Sequence, residues 1–211
     1  MTHPMTRRGF LWRFIMALPV SCGLIPTTQA AVAKRLLPPI DVDYAKEGLV
    51  VSPRANWTTM VPRPWRMREA GGFDRITVHH TAGEVPVQPL AEPKVIEALN
   101  SILQDHWQRQ YGDIGYHFLL DRAGRIWECR SLVYEGAHVV DQNERNIGVV
   151  LLGNYEIQEP TGEQVGSLMK LLGLLRRTFD IKLHRIYGHR DLGQSLCPGR
   201  RLYPLIEQLK S

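Results

Sequence analysis

From Ile147 to Leu152 the chain reads Ile-Gly-Val-Val-Leu-Leu, with no polar side chain. A run so aliphatic and β-branched suits a strand covered by apolar groups on both faces, the central strand of a sheet with helices against it. Ile76-Thr77-Val78 reads as a second buried strand, ending at His79 and His80. Residues 92–110 predict a helix, with Ile96, Leu99, Ile102, Leu103 and Trp107 on the covered face and Glu97, Gln104, Asp105 and Gln108 on the wet one. Residues 116–120 and 125–130, joined by Asp121-Arg122-Ala123-Gly124, predict a hairpin. Thr161 with Gln164 has the form of a capping box before a second apolar helical face, Val165, Leu168, Met169, Leu172 and Leu175. A short strand at 185–187, a loop through Pro198 and a helix at 203–210 complete the pattern. The fold class expected is α/β: a single domain over residues 52–211, with a central mixed sheet flanked by helices.

Ahead of that domain, residues 1–33 contain Arg7, Arg8 and Arg13 and no acid, then an apolar stretch and small residues up to Ala30 or Ala33. This is the form of an export signal, and Arg13 and Pro19 interrupt the apolar run before it reaches the roughly 20 residues of a spanning helix. Thr6-Arg7-Arg8-Gly9-Phe10-Leu11 resembles the twin-arginine export pattern, so the twin-arginine machinery is an expected partner. A periplasmic or secreted location follows, with lipid anchoring through Cys22 as the lesser alternative. Residues 34–51, with Pro38-Pro39, read as an extended arm. The net charge of +5 falls to +2 without the leader's three arginines, and no basic run remains to follow a nucleic-acid backbone.

Without the leader, Cys129 and Cys197 are the two cysteines, and histidines gather at expected strand ends. His106 and His184 read as ordinary polar groups. In the segment from Gly188 to Gly199, His189 leaves a strand and Cys197 returns in a turn, so an imidazole and a thiolate approach one point. An imidazole from His79 or His80 would complete two nitrogens and one sulfur, a set that Zn²⁺ accepts with a fourth position free for water. Adjacent strand residues face opposite ways, so the two histidines do not both serve one ion, and periodicity does not choose between them.

Five ordered segments, Arg54-Ala55-Asn56-Trp57, Val78-His79-His80-Thr81-Ala82-Gly83, Asp113-Ile114-Gly115-Tyr116-His117-Phe118, Asn146-Ile147-Gly148-Val149 and Gly188-His189-Arg190-Asp191 with Cys197-Pro198-Gly199, together resemble the zinc amidases of peptidoglycan. That family includes phage lysozyme-type amidases and animal peptidoglycan recognition proteins. The resemblance implies one Zn²⁺ per chain held by His79, His189 and Cys197. Tyr116 matches the family's active-site tyrosine, and Ser195 stands where phage members carry a lysine. His80, His117 and His138 are candidates for supporting the ligands or lining the cleft. The implied reaction cleaves the amide between N-acetylmuramic acid and L-alanine in peptidoglycan or a muropeptide, by a monomer.

Two features depart from the family pattern. Ser195, a catalytic candidate beside Tyr116, can still hydrogen-bond an oxyanion through its hydroxyl but supplies no positive charge, and Cys129, if close to Cys197, would form a bridge that removes the zinc thiolate. A module that grips muropeptide without cutting it and a Cys197 nucleophile with His189 as its base are the competing readings.

Overall fold

The computed structural model describes residues 42–83 and 85–210; the expected export signal, Cys22 and most of the arm lie outside them. Among the described residues six strands form one sheet: β1 (Val51–Ser52), β2 (Arg75–His80), β3 (Phe118–Leu120), β4 (Ile126–Glu128), β5 (Asn146–Leu151) and β6 (Ile186–Gly188), in the order β1-β4-β3-β5-β2-β6. β3 and β4 are an antiparallel hairpin and the remaining pairings are parallel, which makes the sheet mixed. The central place of β5, buried along its whole length between β3 and β2, is the one its composition required.

Among the described residues three α-helices cover the sheet: α1 (Glu92–Gln108), α2 (Gly162–Phe179) and α3 (Tyr203–Gln208). Strand alternation divides the core in two. Leu119, Val150 and Trp127 pack with Val95, Leu99 and Leu103 of α1 and with Trp57. Ile76, Val78, Phe118, Leu120, Val149 and Leu151 pack with Leu168, Leu171, Leu172 and Leu175 of α2 and Ile206 of α3. Val78 therefore points toward α2, and His79, one residue on, points to the other side.

Residues 42–51 do not form a separate arm. Val42 and Leu49 are core residues, and Val51 pairs with Ile126, so the packed domain extends ahead of residue 52. The covered face of α1 is Val95, Leu99, Leu103 and His106, with Ile96, Ile102 and Trp107 half-buried. That face is rotated from the expected one because it tracks the sheet rather than the longest apolar row. The capping box of α2 is present, and its Gln164 is itself buried. The amide accepts from the Tyr155 hydroxyl and donates to the carbonyls of Leu120 and Leu152, so an end signal in the sequence also serves as a core bond. Among the described residues, no helix is long and apolar enough to cross a membrane.

Candidate metal centre

β2 delivers His79 at its C-terminal end, 1 % exposed, on the α1 side of the sheet. β6 ends at Gly188, and a short 3₁₀ turn beginning at His189 follows it. The loop then brings Cys197 back beside β2, where the His80 backbone N–H donates to Cys197 Sγ at 3.3 Å. One ligand atom from each of His79, His189 and Cys197 lies within 4.8 Å of the others. Cys197 Sγ is 3.6 Å from His79 Nδ1, close to the ~3.5 Å edge expected between sulfur and nitrogen in a tetrahedral zinc shell. Two imidazoles and a thiol in this spacing fit Zn²⁺. Burial pushes the Cys197 thiol up to about 12, while the His80 N–H and Arg190 pull it down. A cation bound there would displace the proton.

Hydrogen bonds decide which His79 nitrogen faces the sulfur. His138 Nε2 lies 3.2 Å from the Asn146 carbonyl, which can only accept, so that nitrogen carries the proton. His138 Nδ1 is then an acceptor, and at 3.0 Å it takes the proton of His79 Nε2. The lone pair of His79 is left on Nδ1, toward Cys197. Burial holds both imidazoles well below their usual pKa, so the relay stays neutral.

The hole for His138 is cut into the central strand. A Cβ at Gly148 would stand 2.5 Å from His138 Cδ2, which accounts for a glycine within an otherwise branched run. Asn143 fixes the turn from the other end, its Oδ1 accepting from the N–H groups of His138 and Val139.

The remaining expected site residues separate clearly. Tyr116 comes into the site: its ring lies 5.2 Å from that of His79, centroid to centroid, and 6.3 Å from that of His138. Burial, with Cys197 adding to it, pushes the phenol above its usual range, so it remains protonated. A 330 Å³ cleft is lined by Tyr116, His138 and His189 with Arg109, Tyr111 and Asn143. His80 faces the opposite side of the strand from His79, and its Nδ1 accepts from the Tyr155 N–H. His117 is fully buried behind the site, with Nδ1 accepting from Gly148 N–H and Nε2 donating to the Tyr134 carbonyl. It does not line the cleft but packs against His138. Ser195 Oγ accepts from the Cys197 N–H at 3.1 Å, which shapes the turn that presents the sulfur.

Cys129 is fully buried in the α1-side core, and it and Cys197, the two cysteines among the described residues, are free. It follows β4, which β3 and β5 separate from β2, or ~14 Å at ordinary strand spacing. The feared bridge to Cys197 is therefore out of reach. His106 accepts from the Gly115 N–H at 2.9 Å, the satisfied polar role expected of it, but it also lines the cleft, its ring 5.6 Å from that of Tyr116. Arg109, Tyr111, Asn143 and Arg190 were not singled out from the sequence. Asn143 and Asn146, flanking the start of the most apolar strand, were the one available signal, since polar groups in such a place need partners.

Residues 70–200 match the family model described as N-acetylmuramoyl-L-alanine amidase. Peptidoglycan-recognition protein SD of Drosophila simulans is 27% identical over 156 residues, covering 74% of this chain and 83% of the relative. The N-acetylmuramoyl-L-alanine amidase of Homo sapiens is 31% identical over 167 residues, 74% of this chain and 27% of that protein. Among solved structures, the recognition proteins LCa and LCx in complex with tracheal cytotoxin align with a TM-score of 0.66 and 27% identity, over 76% of this chain and 96% of theirs. With fold, motifs and family model in agreement, the chain belongs to the N-acetylmuramoyl-L-alanine amidase family, a membership that supports a peptidoglycan-related hydrolase.

Proposed function

We propose that this chain is an exported, zinc-dependent N-acetylmuramoyl-L-alanine amidase that cuts the bond between the lactyl group of N-acetylmuramic acid and L-alanine, acting as a monomer with one zinc. The observation that carries the reading is the convergence of His79, His189 and Cys197, with the His79 tautomer set by His138 and Asn146. Zinc, when bound, supplies a Lewis acid that polarises the scissile carbonyl and lowers the pKa of water toward ~7. The chain's own groups do the rest. Tyr116, kept protonated by burial, donates a hydrogen bond to the oxyanion that develops on the carbonyl oxygen. The 330 Å³ cleft orients the substrate, and its Arg109 suits a carboxylate of the stem peptide. Ser195 serves by shaping the Cys197 turn. The twin-arginine pattern at Arg7-Arg8 supports folded export to the periplasm or beyond.

Release of L-alanine amino termini from purified cell wall tests the reading. Release should stop with chelator and return with added zinc. Muropeptide binding without release would instead favour a recognition module, the reading that the name of the Drosophila relative suggests.

A further inference from the structure

The 189–197 loop carries two of the three ligand side chains, yet it has little regular structure of its own beyond the short turn at His189. Arg190 is the residue that closes it. Its backbone N–H donates to the Cys197 carbonyl at 2.8 Å, and its Nη2 donates to the Leu196 carbonyl at 2.6 Å. The guanidinium lies 4.8 Å from the Tyr203 ring centroid, and Nη2 is 3.7 Å from Glu156 Oε1. Glu156 is fixed in turn, since its Oε1 accepts from the Arg200 backbone N–H at 3.2 Å and its main-chain carbonyl accepts from Arg200 Nε at 2.7 Å. Next along the chain, Asp191 accepts from the Gly188 N–H at 2.8 Å and the Tyr203 hydroxyl at 2.6 Å. The loop is thus stitched across itself and to α3.

We propose that the Arg190 side chain is a positioning residue for the metal-ligand sulfur: by gripping the Leu196 carbonyl, next to the backbone bond that already joins residues 190 and 197, it holds Cys197 beside His79 and His189 before any cation arrives. This rests on reading those three residues as metal ligands. A loop closed in advance spares the ion the entropy of ordering it, so the gain falls on affinity. A planar guanidinium can bond a carbonyl, stack on a ring and face a carboxylate at once, which an ammonium cannot.

The test compares wild type, Arg190→Met and Arg190→Lys after metal removal, by zinc titration against a chromophoric chelator and by the rate of Cys197 alkylation. Arg190→Met should weaken zinc binding ~10–100-fold, as loss of a group supporting a ligand does, and speed alkylation, with Arg190→Lys between it and wild type. Cys129 is buried and should stay silent. A lowered melting temperature with unchanged zinc affinity and alkylation rate would mean that Arg190 is merely structural, and would overturn the proposal. If Arg190→Met does not fold, Glu156→Gln carries the same test: weaker zinc and faster alkylation support it, unchanged values overturn it. Wild-type protein that takes up no zinc would overturn the metal reading itself, whereas tight zinc in both wild type and Arg190→Met overturns only the role of Arg190.

Discussion

His79 and Cys197 stand 3.6 Å apart and are held by unlike means. The imidazole belongs to the sheet: it is 1 % exposed, flanked by β5 and β6, and fixed by two successive hydrogen bonds that end on a strand carbonyl. The sulfur belongs to a loop, half-buried, and its position depends on Ser195, Arg190 and one backbone N–H of His80. The sheet half decides which atom faces a metal, and the loop half decides where its partner stands. Rigidity in the first is a consequence of burial, and in the second it has to be built from side chains.

The contrast can be broken most severely by removing a ligand from either half. Cys197→Ala and His79→Ala should each reduce hydrolysis to background and abolish zinc retention, as checked by product analysis and metal content. Tyr116→Phe should separate chemistry from metal. We expect kcat to fall ~10²–10³-fold, the usual loss for an oxyanion donor, with zinc content unchanged. His138→Phe leaves all three ligands in place but frees the His79 tautomer, so zinc affinity should weaken ~10–100-fold in a competition titration.

A subtler test uses pH. Burial lowers His106 to about 4 and His117 to about 3, so between pH 6.5 and 4 the unfolded chain takes up a proton at each that the folded chain refuses. Stability contributed by these groups therefore falls as pH drops, by ~1.4 kcal/mol per pH unit for each histidine. Asp113, raised to about 6 by burial, acts in the opposite direction over the range from about 6 down to its ordinary value of 3.8. Denaturant melts at pH 7, 6 and 5 should show the net decline, with a shallower slope in His117→Gln. The smallest effect is expected at Cys129: Cys129→Ala should cost ~1 kcal/mol of stability and leave zinc content and turnover unchanged, because that thiol only fills the core.

The parts legible in the sequence are those with short-range signals. The apolar run at Ile147 marked the central strand, the Asp121–Gly124 turn marked the hairpin, and Thr161 with Gln164 marked the start of α2. Alternation along β2 separated His79 from His80 in principle, but only the family resemblance selected His79. What stayed hidden were relations between distant segments: a histidine ring lodged over Gly148, a carbonyl of Asn146 setting a tautomer two groups away, and Arg190 reaching Tyr203 and Glu156. Cys129 shows the reverse error. The residue invited a redox role because sequence gives no distance, and the intervening strands remove it.

X-ray absorption at the zinc edge of the purified, metal-loaded protein addresses the convergence of His79, His189 and Cys197 most directly. The structure predicts one sulfur at ~2.3 Å and two imidazole nitrogens at ~2.0–2.1 Å, with the sulfur lost in Cys197→Ala. A zinc shell of nitrogen and oxygen alone in the wild-type protein would contradict it.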